Sequence, residues 1–219
     1  MHSSAGLAAS ITMARSKSSA SWLSRHLSDP FVKQAQKDGY RSRAAYKLIE
    51  LNDKDRLIRP GMRILDLGSA PGGWSQVAGK LVGDKGRVLA TDILPMDAVR
   101  NVDFIQGDFT DDAIVQQLLD WLDGGRFDLI ISDIAPNITG IASADQASSI
   151  YFLELALDTV TRTLKPGATF AAKMFQGAGS DQYLKQLRTH FAKVAIRKPA
   201  ASRKESREVY VVAQGFKGQ

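Results

Sequence analysis

Cysteine is absent from this sequence, and histidine occurs only three times. Without cysteine the chain has neither disulfides nor thiolate ligands for a metal, and it fits a reducing compartment. His2 lies near the chain start, while His26 and His190 fall in predicted surface helices without a nucleophile turn, so a serine–histidine–aspartate hydrolase has no support. We expect no bound metal and a cytoplasmic location.

Long apolar runs are missing as well. No stretch approaches the roughly 20 apolar residues that a membrane-spanning helix needs, so we expect no membrane contact. Acidic residues are outnumbered, because 29 lysines and arginines stand against 23 aspartates and glutamates, for a net charge of +6. This excess favours a polyanionic partner, nucleic acid before membrane, although a scattered basic surface is the alternative.

The composition predicts one folded domain behind a short tail. Residues 1–20 are rich in serine and alanine and contain no acid, so we predict a disordered tail there. A single domain is predicted over 21–219. Its first part, 21–55, interleaves basic and aromatic residues, and we predict a helical segment that packs one face on the domain and presents the other to RNA.

The chain is organised around residues 62–75, which predict a strand and a glycine-rich turn, followed by a helix over 74–81. The residues around Leu65 are apolar like a buried strand, and Gly68–Gly73 supplies the turn. Ala70 stands where the dinucleotide fingerprint has its second glycine, and Pro71 removes an N–H group that a pyrophosphate would use. The turn therefore favours S-adenosylmethionine over NAD, and it disfavours redox chemistry.

Strands and helices alternate along the chain until its end. The fourth predicted strand, Phe127–Ser132, is almost continuously apolar, as a buried parallel strand should be. The last two predicted strands, Lys193–Arg197 and Val209–Ala213, follow each other with no helix between them. We therefore predict an α/β, Rossmann-like fold with a seven-stranded, mostly parallel sheet, one antiparallel strand near its edge, and helices on both faces.

Acidic residues follow successive strands, at the edge where ligands of such sheets bind. Asp92 ends the second predicted strand, after the turn that contains Gly72, and is placed to accept both ribose hydroxyls of an adenosine cofactor. Asp108 follows the third predicted strand and is placed to bond the adenine amino group. Each aspartate by itself is more often a turn or cap residue, but two at successive strand ends favour the binding role.

Two lysines are candidates for chemistry on a ribose hydroxyl. Transfer of a methyl group from a sulfonium to a 2′-oxygen needs an aimed nucleophile and a route for its proton. An amine can assist when burial or a second cation perturbs it. Lys173 lies among apolar residues near the end of the fifth predicted strand, and Lys47 lies beside the apolar face of an upstream helix. Asp133 and Glu208 are candidates to balance and orient them.

The segment after Phe127–Ser132 argues against methylation of a base. Enzymes that methylate amino groups of bases usually carry an aromatic residue there, which stacks on the extruded base. Residues 133–137 read Asp-Ile-Ala-Pro-Asn and contain no aromatic ring. A ribose acceptor is therefore favoured over a base.

Five segments together closely resemble the FtsJ/RrmJ family of ribosomal RNA 2′-O-methyltransferases. The resemblance runs from about Trp22 to Phe216, and the five segments follow each other in the family's order. They are Ser42–Leu48, Asp66–Gln76, Ser132–Asn137, Lys173–Gly177 and Ser206–Tyr210. None of them would suffice alone. The resemblance implies an S-adenosylmethionine-dependent methyltransferase fold, with S-adenosylmethionine as cofactor.

The resemblance also implies the roles of particular residues. A lysine–aspartate–lysine–glutamate tetrad would fall on Lys47, Asp133, Lys173 and Glu208, with Lys173 as proton acceptor or principal oxyanion partner. The cofactor contacts would fall on Gly72, Trp74, Asp92, Asp108 and Asp133.

The bacterial branch of the family is the nearer one, because the chain is short and carries no extra domain. It implies methylation of a uridine ribose in 23S large-subunit ribosomal RNA, in the assembled 50S subunit, and we expect a monomer. The tail before Ser21 has no counterpart in the family pattern. The competing hypothesis is a non-catalytic RNA-binding ribosome-assembly factor that keeps the fold and binds RNA without binding S-adenosylmethionine.

Overall fold

The computed structural model describes residues 29–135, 139–203 and 205–218. The predicted tail over 1–20 lies outside these residues, as do His2, His26 and the start of the predicted basic segment. The helices and strands in chain order are α1 (Pro30–Asp38), α2 (Ala44–Asp55), β1 (Arg63–Leu67), α3 (Gly73–Val82), β2 (Arg87–Asp92), β3 (Val102–Gln106), α4 (Asp112–Leu122), β4 (Phe127–Ser132), α5 (Ala142–Thr163), β5 (Leu164–Phe175), α6 (Ser180–His190), β6 (Phe191–Arg197) and β7 (Glu208–Phe216).

One seven-stranded sheet, in the order β3-β2-β1-β4-β5-β7-β6, forms the centre of the described structure. The pairs on the β3 side of β5 are all parallel. β7 runs antiparallel to both of its neighbours, β5 and β6. The prediction of a mostly parallel sheet with one antiparallel strand near its edge is confirmed.

Helices cover both faces of the sheet because alternate residues of each buried strand point to opposite sides. On β1, Ile64 packs with apolar residues of α2 and α3, whereas Leu65 and Leu67 pack on the other face with residues of α4, α5 and α6. Each of these helices buries one apolar face in this way. Among the described helices, none is long and apolar enough to cross a membrane.

Two predicted element boundaries differ from the structure. Serine is a preferred N-cap, so the sequence favours Ser42 as the cap of α2, but the helix begins at Ala44. The Ser42 hydroxyl lies only 2.3 Å from the position that a Cβ on Gly73 would occupy. The absence of a side chain on Gly73 therefore lets the start of α3 approach Ser42 closely. α5 begins at Ala142, although apolar residues recur at helical spacing only from Ile150 onward, and the residues buried in its first turns, Gln146 and Ser149, are polar.

The parallel arrangement brings the predicted functional residues to one edge of the sheet. Gly72 follows β1, Asp92 ends β2, and the loop after β4 begins with Asp133. Asp108 follows β3, and Lys173 stands near the end of β5. The carboxyl ends of these strands meet at the same edge, which is where α/β sheets bind their ligands.

Candidate active site

Four ionisable side chains from remote parts of the chain meet at this edge. Lys173 Nζ lies 3.1 Å from Asp133 Oδ1 and donates a hydrogen bond of 2.7 Å to the Asp133 carbonyl oxygen. Lys47 Nζ lies 2.7 Å from Glu208 Oε1 and 4.0 Å from Asp133 Oδ1. We call these four residues the tetrad. The geometry brings them together, and their catalytic roles stay predictions.

Strand register explains how residues so far apart in sequence become neighbours. In the antiparallel pair of β5 and β7, Lys173 stands opposite Tyr210 and Phe175 stands opposite Glu208. Residues directly opposite each other on such strands project to the same face of the sheet. α2 packs on that face and contributes Lys47, and the loop after β4 contributes Asp133.

Burial makes the pairing of charges in the tetrad obligatory. Lys47 and Lys173 are each only 8% exposed, and a buried charge is strongly unfavourable unless it is paired. Burial by itself would raise the pKa of Glu208, but the charge and hydrogen bond of Lys47, with help from Lys173, outweigh it and lower the pKa. The tetrad is therefore two cations balanced by two anions.

Tyr210 belongs to this cluster, although the sequence analysis assigns it no role. Its hydroxyl donates a 2.5 Å hydrogen bond to Asp133 Oδ1 and lies 3.4 Å from Glu208 Oε1. Burial, and then the charges of Asp133 and Glu208, raise the pKa of Tyr210 well above its ordinary value, so it remains a donor at neutral pH. Its place two residues after Glu208 on one strand is the sequence signal for it, since period 2 puts both side chains on one face.

The linker between β6 and β7 is held against α2. The carboxylate of Glu50 accepts hydrogen bonds from the backbone N–H groups of Ala200 at 2.5 Å and Ala201 at 3.0 Å. Next in the linker, the Ser202 hydroxyl donates to Glu208 Oε1 at 2.9 Å. α2 therefore supplies a lysine to the tetrad and also fixes the segment that orients its partner carboxylate.

The glycine turn beside the tetrad is built for close packing. Gly68 and Gly72 have φ angles of 69° and 108°, a region that glycine enters at little cost. A Cβ on Gly68 would come within 2.0 Å of Ile134 Cγ1, and a Cβ on Gly72 would come within 2.8 Å of the Arg41 guanidinium. Neither position accepts a side chain without displacement of its neighbours.

Asp92 ties this turn to the loop after β2. Its carboxylate accepts hydrogen bonds from the backbone N–H groups of Ala70 at 2.9 Å and Leu94 at 2.8 Å. Each carboxylate oxygen has a second lone pair, so the group retains capacity for hydroxyl donors. Ile93 and Leu94 beside it are 64% and 59% exposed, which leaves apolar surface next to the acid.

The other two predicted cofactor contacts differ in their surroundings. Asp108 Oδ1 accepts from the Thr110 backbone at 2.9 Å and from the Thr110 hydroxyl at 2.8 Å, as in a turn. The side chain of Trp74 is only 2% exposed, and its indole N–H donates to the Ala44 carbonyl at 2.8 Å. The ring packs α3 on α2, so a ligand contact from Trp74 would come from its backbone in the first helical turn, where N–H groups lack helical partners.

A buried acid lies beneath the glycine turn and was not singled out from the sequence. The Ser75 hydroxyl in α3 donates to Asp66 Oδ2 at 2.6 Å, and so links β1 to the helix. Burial raises the pKa of Asp66 to about 7, against the Ser75 hydrogen bond. Within the described part of the chain, Asp66 Oδ1 and the buried Ser69 hydroxyl have no hydrogen-bond partner.

The aromatic residues of the predicted RNA-facing segment pack mainly on each other. The ring centre of Tyr46 lies 5.7 Å from that of Phe31 and 5.8 Å from that of Tyr40. Lys33 and Lys37 on α1 are exposed. The described part of this segment therefore offers lysines to a polyanion, while its rings serve packing.

Comparison with known proteins gives concordant matches. A sequence model of the family described as FtsJ-like methyltransferase matches residues 40–216. A protein of Stutzerimonas stutzeri (strain A1501) named ribosomal RNA large subunit methyltransferase E is 68% identical over 206 residues, covering 94% of this chain and 100% of its own. A protein of Pseudomonas aeruginosa with the same name is 56% identical over 207 residues, with coverage of 94% and 100%.

Solved structures give the same result for the fold. A crystal structure from Plasmodium falciparum, assigned as a ribosomal RNA methyltransferase, aligns with a TM-score of 0.75 at 31% identity and covers 82% of this chain and 100% of that one. A Thermotoga maritima SAM-dependent O-methyltransferase aligns with a TM-score of 0.52 at 15% identity, over 80% of this chain and 65% of that one. The second match concerns the fold alone.

Proposed function

Because the chain belongs to the FtsJ-like methyltransferase family, we propose that it methylates a ribose 2′-oxygen of large-subunit ribosomal RNA with S-adenosylmethionine as methyl donor. The observation that carries the proposal is the convergence of Lys47, Asp133, Lys173 and Glu208 beside the glycine turn. The names of the two bacterial relatives support the choice of RNA.

The residues at the sheet edge suit S-adenosylmethionine. The backbone of the turn around Gly72 and the first turn of α3 at Trp74 would hold its methionine part, because close approach needs glycine and free N–H groups. Asp92 would accept its ribose hydroxyls, with the exposed apolar side chain of Ile93 beside the adenine. Asp108 and Asp133 would supply the remaining polar contacts. When bound, S-adenosylmethionine supplies an electrophilic methyl group on a sulfonium.

The chain's own residues would manage the proton of the acceptor hydroxyl. Lys173 would accept that proton if it has first released its own, or, as an ammonium ion, it would stabilise the negative charge that develops on the 2′-oxygen. Asp133 orients Lys173 through its carboxylate and its carbonyl oxygen. Lys47, held by Glu208, adds a second positive charge near the acceptor. No metal ion is needed in this scheme.

The finer expectations form part of the proposal. By the family resemblance the acceptor is a uridine in 23S ribosomal RNA within the assembled 50S subunit, and the protein acts in the cytoplasm as a monomer. Mapping ribose methylation in ribosomes from cells that lack the protein tests the nucleotide. Comparing free 23S RNA with 50S subunits as substrates tests the assembly state.

Substitution of Lys173 tests the catalytic assignment. Lys173→Met should bind S-adenosylmethionine with wild-type affinity in calorimetry and lose methylation by roughly 10²- to 10⁴-fold, the usual range for acid–base groups. Lys173→Arg separates the two roles, because arginine keeps the charge but does not accept a proton at neutral pH. Full activity of Lys173→Met would reject the assignment.

The non-catalytic alternative makes a different prediction. An assembly factor that kept only the fold would bind RNA but show no heat of S-adenosylmethionine binding. Calorimetry with the wild-type protein and the cofactor therefore distinguishes the two hypotheses before any activity assay.

A further inference from the structure

A cavity of about 330 Å³ adjoins the tetrad. Three residues of the tetrad, Lys47, Lys173 and Glu208, line this cavity. Phe175 and Arg203 also line it, and neither takes part in the chemistry described above. The volume lies at the small end of the range for ligand pockets, about 300–1,000 Å³. It therefore has room for a single nucleotide unit.

The ring of Phe175 is placed on the tetrad's face of the sheet. In the β5–β7 pair, Phe175 stands directly opposite Glu208, two positions beyond the pair of Lys173 and Tyr210 and therefore on the same face. The side chain is half-buried. Among the described residues, no other aromatic ring stacks on it, whereas Phe170 on the same strand stacks on Phe191. Phe175 thus offers an unpaired aromatic surface inside the cavity.

Among the described residues that line the cavity, one cation is left without a compensating acid. The two lysines of the tetrad are balanced by its two carboxylates, and Arg43 at the cavity wall forms an ion pair with Asp29. Arg203 is exposed, and its side chain has no ion pair or hydrogen bond in the described part of the chain. A net positive charge at the cavity therefore resides on Arg203, whose guanidinium matches a phosphate in shape and charge.

We propose that this cavity binds the target nucleotide, with Phe175 stacked on its base and Arg203 bound to a phosphate beside it. The inference rests on the proposed function and adds the residues that hold the acceptor. An aromatic ring can stack only on a base that is itself unstacked, so the ligand is a nucleotide turned out of the RNA helix. Because Phe175 lies two residues beyond Lys173, a base stacked on its ring would be held in place with the ribose hydroxyl of the same nucleotide at the tetrad.

Variants of Phe175 test the stacking. Phe175→Leu keeps an apolar side chain and removes the ring, while Phe175→Tyr keeps the ring. With 50S subunits from cells lacking the protein as substrate, we expect kcat/KM for the subunit to fall about 5- to 150-fold in Phe175→Leu, as for loss of one base–aromatic stack. Phe175→Tyr should remain within about twofold of the wild type, and S-adenosylmethionine affinity should stay unchanged in both variants.

Two outcomes would overturn the stacking assignment. One is wild-type kcat/KM in Phe175→Leu. The other is an equal defect in Phe175→Leu and Phe175→Tyr, since that pattern indicates a steric role in packing. If the wild-type protein fails to methylate 50S subunits and free 23S RNA, the proposed function itself is wrong. If it methylates them and the variants match it, only the cavity assignment is wrong.

A matched pair of arginine variants tests the phosphate contact. Arg203→Gln should raise KM for the subunit and reduce the slope of log affinity against log salt concentration by about one. Arg59→Gln removes the same charge from an exposed site before β1, at the opposite edge of the sheet, and should leave both quantities near wild type. Equal effects of the two substitutions would show that Arg203 contributes only to the overall positive charge of the surface, and they would contradict the proposal.

Discussion

Replacing Asp66 by asparagine should change how the stability of the protein depends on pH. In the folded protein Asp66 is fully buried below the glycine turn, and burial raises its pKa from 3.8 to about 7. Between these two values the folded state holds a proton that the unfolded state has released. The stabilising contribution of this protonated site is therefore complete below about pH 3.8 and is lost as the pH rises through about 7.

The size of this effect follows from the difference in pKa. A difference of one in pKa corresponds to about 1.36 kcal/mol. A rise of about three in the pKa of Asp66 therefore lowers the free energy of unfolding above neutral pH by about 4 kcal/mol, relative to its value at low pH. Asparagine stays neutral at every pH, and its carbonyl oxygen can accept the hydrogen bond that the Ser75 hydroxyl now donates to Asp66. The variant should therefore lack the penalty that appears in the wild type as the pH rises.

Urea unfolding at pH 5, 6, 7 and 8 measures the effect. The free energy of unfolding of Asp66→Asn minus that of the wild type should rise by about 1.4 kcal/mol per unit from pH 5 to about pH 7 and then level off. Asp53→Asn, at an exposed position on α2, provides the control and should follow the wild-type curve. A difference that stays constant within about 0.5 kcal/mol over this range would contradict the reasoning.

Three further substitutions probe the tetrad and its supports. Tyr210→Phe keeps the ring beside Trp74 but removes the hydrogen bond that the hydroxyl donates to Asp133. Hydrogen bonds to charged groups contribute about 1.5–3 kcal/mol, so initial rates should show a lower kcat with an unchanged KM for S-adenosylmethionine. Glu208→Gln should reduce the loss of stability that urea unfolding shows as the pH falls below 4.5, because the pKa of Glu208 is lowered from that value and its stabilising contribution is lost as the pH falls through the folded-state pKa. Glu50→Ala should lower the free energy of unfolding by about 1–3 kcal/mol and speed amide hydrogen exchange in the linker, and unchanged exchange there would refute the role given to Glu50.

Local pattern predicts the elements well where one physical signal dominates. The end predicted for the second strand, Asp92, and the bounds predicted for the fourth, Phe127–Ser132, coincide with those of β2 and β4, because continuous apolar runs mark strands that are buried on both faces. The start of α5 cannot be predicted from apolar residues in the same way. Its first turns bury Gln146, whose amide donates to backbone carbonyls after β5, and a polar residue leaves no mark in a hydrophobic period.

The exposure of single side chains is predicted less well. Trp74 follows the glycine turn and is a predicted cofactor contact, yet the packing of α2 on α3 covers its ring. The segment that contains Trp74 does not reveal which helix lies on it, since α2 comes from an earlier part of the chain. For the same reason the sequence nominates Glu208 as a charge but does not reveal that Ser202 and Tyr210 hold it.

What the sequence by itself determined is the set of parts: alternating strands and helices, the glycine turn, acids at strand ends, and the motifs by which the chain resembles its family. These depend on side-chain periodicity and backbone sterics, which act over a few residues. Only the tertiary structure decided how the parts meet. Insertion of β7 antiparallel beside β5 sets Glu208 and Tyr210 next to Lys173, and the packing of α2 on that face adds Lys47. Contacts of this kind depend on strand order and register, which no local pattern encodes.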